Sequence, residues 1–220
     1  MKHLLDVIYE PYSGTWHQKA EAALQSLWED GRYPKSAEKA VTIRAPGGLS
    51  LESGGAPFAA LIHPENPNSG AYGGMSFVIF PADIGPALVA MVVGTQGLHP
   101  DEMVLGRPGH ARKLAAITRW LNLEAGSGQL VAWSKDEPVR TDVTLPRDIR
   151  SKFSAYKNAF DRYGHVIYCF FAPQQDRAST EIALKAFLDL TFEERGISTR
   201  KPFEEDAEKI RDAYFQPPHA

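Results

Sequence analysis

The stretch of sequence that decides the fold reads PFAALIH at residues 57–63, GGMSFVIF at 73–80 and VVGTQG at 92–97. Each segment contains or ends a run of apolar residues, and the connecting segments are rich in Gly, Pro and Asn. Short apolar runs bounded by turn residues predict strands, and runs without polar alternation predict strands that are buried on both faces. We therefore expect buried strands at 58–62, 75–80 and 88–93.

Apolar periodicity on either side of these strands predicts the other elements. The predicted helices span 15–29, 109–123, 147–163, 179–195 and 203–215, and the further strands span 41–45, 49–53, 129–133, 139–145 and 165–172. Strands and helices do not alternate strictly, which argues against a doubly wound nucleotide-binding fold. We predict an α+β fold in one domain over residues 1–220, with a mixed, curved sheet of about six or seven strands flanked by four or five helices. The turn at 125–128 is a weak candidate for a domain boundary.

The amino-acid composition indicates the class of protein and the compartment in which it is expected. The chain is 43% hydrophobic and 23% charged, as in ordinary globular proteins. No apolar run approaches the roughly 18 residues that a membrane-spanning helix requires, so we expect no membrane partner. The single cysteine, Cys169, lies in an apolar run and cannot form an internal disulfide. A lone buried thiol fits a reducing compartment, and we expect a cytoplasmic protein.

The charge distribution is uneven along the chain. The net charge is −3, yet residues 105–165 carry 11 Lys and Arg against 6 Asp and Glu. If these basic side chains lie together, they concentrate positive potential on one face; otherwise they are separate solvated residues. The sequence GRPGHARK at 106–113 begins a predicted helix, and the free N–H groups of a helix start attract anions. The nucleic-acid-binding candidates in this segment are Arg107, Gly109, His110, Arg112 and Lys113.

Aromatic residues supply candidates for a base pocket, because an extruded base is held between aromatic or apolar faces. The candidates are Phe58, Tyr72, Phe77 and Trp133. Core packing is the common role of such side chains. Tyr72 stands out because the surrounding loop, SGAYGG at 69–74, contains no other large residue.

Two alternatives to a nucleic-acid-binding module remain open. The first is a hydrolase or nuclease that uses His99, Asp101, Glu102 and His110, which group imidazoles with carboxylates. The sequence contains no His-Glu-x-x-His and no Gly-x-Ser-x-Gly motif, so we assign no catalytic residue, metal ligand or cofactor. The second alternative is a non-catalytic protein-interaction domain.

A pattern of small residues in 57–96 points to a family. Pro57, Ala59, Pro64, Gly73, Phe80, Gly94, Thr95 and Gln96 follow the order of a Pro-Trp-[Ile/Val]-Ala strand, a loop rich in Pro and Asn, a Gly-Tyr-Tyr-x-Val-Tyr-Leu-Phe strand and a Gly-Thr turn. This segment resembles the N-terminal DNA-binding domain of McrB-type modification-dependent restriction proteins. Phe58 stands in the place of the Trp, and Gly74 and Met75 stand in the places of the two tyrosines.

The resemblance implies a DNA-binding module that takes a modified cytosine out of the duplex into an aromatic-lined pocket. It also implies a restriction or phage-defence system, in which a partner subunit carrying a motor or a nuclease is compatible with the module. If the pocket and the basic helix start bind one DNA molecule, we expect Arg107 and Arg112 on the same side as the Tyr72 loop and the turn at 94–97.

Overall fold

The apolar segments of the sequence form the centre of an antiparallel sheet in the computed structural model, which describes residues 1–199. The six strands are β1 (Thr42–Arg44), β2 (Ala59–Ile62), β3 (Met75–Phe80), β4 (Leu88–Val93), β5 (Ala132–Ser134) and β6 (Ile167–Phe171). Their order is β1-β2-β3-β4-β6-β5, and all five pairings are antiparallel. The sheet is therefore not mixed as predicted, because loops and not crossover helices join the adjacent strands β1 to β4.

Helices cover both faces of this sheet. The α-helices within residues 1–199 are α1 (Lys2–Tyr9), α2 (Trp16–Gln25), α3 (Glu102–Leu105), α4 (Pro108–Glu124), α5 (Arg147–Lys152), α6 (Lys157–Tyr163) and α7 (Arg177–Glu193). Three 3-10 helices span Ser26–Trp28, Lys35–Ala40 and Ser154–Tyr156. The α+β class is confirmed, and the helices exceed the expected number because α1 and α3 were not predicted and 147–163 is divided. The helix predicted at 203–215 lies outside the described residues.

Two predicted strands are absent because their backbone groups have other partners. At 49–53 the chain forms a turn, in which the amides of Gly54 and Gly55 donate to the carbonyls of Leu51 and Ser50 at 2.9 and 2.8 Å. In the segment 139–145, the amine of Lys135 donates to the carbonyls of Arg140 and Val143 at 3.0 and 2.6 Å. The same amine donates to the carbonyl of His165 at 2.7 Å.

The sheet separates two hydrophobic cores. Leu61 and Phe77 face the first core with α1, α2, α4 and α7, whereas their neighbours Ala60 and Val78 face the second core with α5 and α6. Successive side chains of a strand point to opposite faces, so apolar runs without alternation fill both cores. Strands β5 and β6 follow the turn at 125–128 and still belong to the same sheet. Within residues 1–199, no helix is both long and apolar enough to span a bilayer.

A buried ion pair ties the end of α7 to the start of β3. The guanidinium of Arg195 donates to the carbonyls of Ala40 and Met75 at 3.2 and 2.7 Å and contacts Oδ2 of Asp101 at 3.3 Å. The same oxygen of Asp101 accepts from the amide of Met75 at 2.7 Å. Both charged side chains are only 5% exposed, so each depends on the other for compensation of its charge.

Candidate nucleic-acid interface

An aromatic cleft lies on the face of the sheet that carries α5 and α6. Its volume is about 530 Å³, within the roughly 300–1,000 Å³ that is typical of small-molecule sites. Phe58, Tyr72 and Tyr163 line it, and the Phe58 ring centroid lies 6.3 Å from that of Tyr72 and 6.1 Å from that of Tyr163. Phe58 is only 8% exposed, so the partly exposed rings of Tyr72 and Tyr163 are the faces on which a planar ligand can stack.

The loop between β2 and β3 presents Tyr72 to the aromatic cleft, and two side chains fix its shape. Arg44, at the end of β1, donates to the carbonyls of Pro67 and Gly70 at 2.8 and 3.0 Å. Asn66 closes the loop, because its amide nitrogen donates to the carbonyl of Gly73 at 3.0 Å and its amide oxygen accepts from the Gly73 N–H at 2.9 Å. Tyr72 is therefore held by a loop whose backbone is hydrogen-bonded at several points.

A close backbone crossing anchors the same loop against the end of β4. The amide of Gln96 donates to the carbonyl of Tyr72 at 3.0 Å, and the amide of Gly94 donates to the carbonyl of Gly74 at 2.9 Å. A Cβ atom on Gly94 would lie 2.1 Å from the carbonyl oxygen of Tyr72, so only glycine allows this approach. The Gly-Thr-Gln turn noted in the sequence thus positions Tyr72, and Thr95 lies at the edge of the cleft.

The charges around the aromatic cleft favour an anionic ligand. Two guanidinium groups line it: that of Arg44 lies 6.0 Å from the Tyr72 ring centroid, and that of Arg162 lies 5.8 Å from the Tyr163 ring centroid. Burial raises the pKa of Tyr72 to about 12, with a hydrogen bond to Ser76 opposing the shift. Tyr72 is therefore neutral at physiological pH and offers no negative charge to repel a phosphate-bearing ligand.

Of the four base-pocket candidates, Phe58 and Tyr72 line the aromatic cleft and the other two do not. Phe77 is fully buried in the core on the opposite face of the sheet. Trp133 packs against Phe170 of β6, with the ring centroids 5.9 Å apart, and does not reach the cleft. Phe77 and Trp133 therefore act in core packing.

The predicted anion site at the start of α4 lies on the other face of the sheet from the aromatic cleft. Arg107 and Arg112 are exposed there, as expected from the sequence. His110 is fully buried, however, and Lys113 forms ion pairs with Glu193 and Glu194 at 3.9 and 3.0 Å. Gly109 lies in the first turn of α4. Arg107 and Arg112 are thus on a helix that packs against the face opposite to Tyr72, contrary to the expectation of one shared side.

A buried contact explains the position of His110. Its Nδ1 lies 3.5 Å from Oε1 of Glu194, and its Nε2 lies 3.4 Å from the hydroxyl of Tyr168. The contact with His110, supported by the ion pair with Lys113, lowers the pKa of Glu194 to about 2 against the opposing effect of burial. His110 therefore joins α4 to the end of α7 and is not available to a ligand at the surface.

We expect Glu194→Gln to lower the free energy of unfolding at pH 7, because the variant loses the carboxylate charge that pairs with Lys113 at 3.0 Å and contacts His110. A carboxylate with a lowered pKa stabilises the fold above its ordinary pKa near 4.5, and this contribution is lost as the pH falls toward 2. The difference between wild type and variant should therefore shrink between pH 4.5 and 2. Urea unfolding at a series of pH values measures it, and a difference that stays constant over this range would contradict the assignment.

The four residues of the hydrolase or nuclease hypothesis lie in different environments. His99 is 85% exposed and sits 3.9 Å from Glu65, whereas Asp101 is bound to Arg195 and Glu102 faces solvent. His110 is buried against Glu194, as described above. None of the four lines the aromatic cleft. Within residues 1–199, no group of three or more His, Cys, Asp or Glu side chains is arranged to hold a metal ion.

The charged and aromatic residues of the cleft that were not among the sequence candidates are Arg44, Arg162 and Tyr163. Tyr163 continues the apolar stripe of Phe153, Tyr156 and Phe160 along the predicted helix at 147–163, so its direction toward the sheet could have been found from periodicity. Arg44 gave no such signal, since it is the only basic residue of the predicted strand at 41–45. Arg162 belongs to the basic segment 105–165, but nothing in the sequence distinguishes it from the other basic residues there.

Comparison with protein-family models, with curated proteins and with solved structures finds no match for this chain. The geometry of the aromatic cleft and the basic side chains around it are therefore the grounds for assigning a function.

Proposed function

We propose that this protein is a DNA-binding module that accepts one base, extruded from the duplex, in the aromatic cleft. The observation that carries the proposal is the union of Phe58, Tyr72 and Tyr163 in one cleft of about 530 Å³ with two arginines at its border. Stacking on aromatic rings and contact with phosphate are two of the interactions that hold a flipped nucleotide.

The residues of the family pattern support the same proposal. Gly94 and Thr95 line the cleft, and Gly73 belongs to the Tyr72 loop beside it. The amides of Gly94 and Gln96 hold this loop against the end of β4. Phe58, in the place of the family's Trp, contributes the ring between the two tyrosines. Recognition of a modified base, a restriction or phage-defence setting and a partner subunit with a motor or nuclease are the parts of the proposal that come from the resemblance alone.

A binding titration tests the proposal. Duplexes that are plain, methylated or hydroxymethylated at one cytosine are titrated at a low and a moderate salt concentration. If about four phosphates are contacted, affinity should fall by about 100-fold for a fourfold increase in salt. From the family resemblance we expect the tightest binding to a modified duplex, whose extruded base would add stacking in the cleft to the backbone contacts.

Absence of binding to all three duplexes at low salt would contradict the proposal. It would favour the protein-interaction alternative, in which the cleft packs against a protein side chain. Binding that is equal for plain and modified duplexes would leave DNA binding intact and remove the modified base from the proposal.

A further inference from the structure

We propose that the phosphate backbone of the DNA runs along α5 and α6, and not along the start of α4. This inference rests on the proposed function and names the surface that supplies its electrostatic attraction. The surface consists of Arg147, Arg150, Lys152, Lys157 and Arg162, and we refer to it as the α5–α6 basic surface.

The first support is the balance of charge on these two helices. Residues 147–163 carry five basic residues and two acidic residues, Asp148 and Asp161. Asp161 is bound by both Arg150 and Lys157, so its charge is neutralised within the surface. Arg147, Lys152 and Arg162 are exposed, and none of them takes part in an ion pair with a residue of the described chain 1–199. They are therefore free to contact phosphates.

The second support is continuity with the aromatic cleft. Arg162 lines this cleft, and Lys157 lines a second cleft of about 430 Å³ between the same helix and the loop that precedes β2. Lys157 and Arg162 are five residues apart in α6, or about 7.5 Å along the helix axis. A DNA strand whose extruded base occupies the aromatic cleft would meet Arg162 there, and Lys157 lies farther along the same helix.

Helix α6 is also held firmly in place by hydrogen bonds at its start. The Tyr156 hydroxyl donates to the carbonyl of Pro86 at 3.0 Å, and the Asn158 amide donates to the carbonyl of Leu51 at 3.2 Å. These bonds fix the start of α6 to two loops beside the sheet. Its cations are therefore presented from a rigid element, which suits contacts that set the register of a duplex.

The start of α4 also carries basic residues, but it lacks continuity with the aromatic cleft. It packs on the opposite face of the sheet, among the residues of the first core. Its Lys113 is paired with Glu193 and Glu194, which place negative charge beside the helix. A backbone bound there would be separated by the sheet from a base in the aromatic cleft.

The experiment compares two double variants that remove the same charge. Lys157→Gln/Arg162→Gln alters the α5–α6 basic surface, and Arg107→Gln/Arg112→Gln alters the start of α4. Affinity for plain duplex is measured over a range of salt concentrations. Each lost phosphate contact lowers the salt slope by about 0.9, so we expect the α6 variant to lose about 2 from the slope and the α4 variant to keep the wild-type slope.

An unchanged slope in the α6 variant, or an equal loss in both variants, would overturn this inference. Circular dichroism and urea unfolding of each variant separate a loss of contacts from a loss of fold. A failure of the proposed function would give a different result, since the wild type would then bind no duplex at all. DNA binding by the wild type with a slope that only the α4 variant reduces would refute the α5–α6 basic surface alone.

Discussion

Replacement of Asp101 by Ala is expected to lower the free energy of unfolding by roughly 3–5 kcal/mol, since removal of one partner of a buried ion pair leaves the other charge uncompensated. Arg195 would lose its carboxylate at 3.3 Å, and the amide of Met75 would lose its acceptor at 2.7 Å. Because these contacts join the end of α7 to the first residue of β3, the loss acts on the centre of the fold. Urea unfolding followed by tryptophan fluorescence measures the effect.

Two controls make this prediction specific. Asp142 forms a comparable ion pair with Arg140, but at the surface, and Asp142→Ala should change stability little. The double variant Asp101→Ala/Arg195→Met removes both buried charges and should be less destabilised than the sum of the two single variants. If Asp101→Ala were as mild as Asp142→Ala, the buried pair would not hold these elements together.

Replacement of Tyr72 by Ala is expected to weaken binding to a duplex with a modified base by roughly 1–3 kcal/mol, or about 5- to 150-fold, which is the usual contribution of one aromatic side chain stacked on a base. Binding to plain duplex should change less, because it depends chiefly on phosphate contacts. The salt slope should stay at the wild-type value, since no charge is removed. Titrations of both duplexes over a range of salt concentrations measure these quantities.

Trp133→Phe is the matched control for Tyr72→Ala. Trp133 was also a base-pocket candidate in the sequence, but it packs against Phe170 outside the aromatic cleft. Its replacement should leave the preference for the modified duplex unchanged. If Trp133→Phe lost the preference for the modified duplex, or if Tyr72→Ala kept it, the base would bind outside the aromatic cleft.

The central strands could be predicted from the sequence because their signal is local. The apolar runs around Phe58, Phe77 and Val89 lack polar alternation, and strands covered on both faces are what such runs form. The face to which each aromatic points was not predictable, since it depends on the register between strands. Phe58 and Phe77 were therefore indistinguishable in the sequence, although they lie in different cores.

The spatial arrangement of the basic segment could not be predicted from the sequence. Residues 105–165 carry the excess positive charge, but the sheet divides them, with α4 on one face and α5 and α6 on the other. His110 was predicted to bind nucleic acid together with Arg107, yet it is buried against Glu194 and Tyr168, which are distant from it in sequence. Likewise, the segment 139–145 is not a strand because the amine of Lys135 binds the carbonyls of Arg140 and Val143. Specific side-chain and tertiary contacts, which a local sequence pattern does not show, decided each of these outcomes.

The central claim is that the aromatic cleft receives a base that has left the duplex. The most direct measurement compares the affinity of the wild-type protein for duplexes in which one target cytosine is either paired with guanine or mismatched, at one salt concentration. A mismatched base requires less energy to extrude, so the account predicts tighter binding to the mismatched duplex. The same comparison with Tyr163→Ala should show a smaller difference. Equal affinity of the wild type for the paired and the mismatched duplex would contradict extrusion of the base into this cleft.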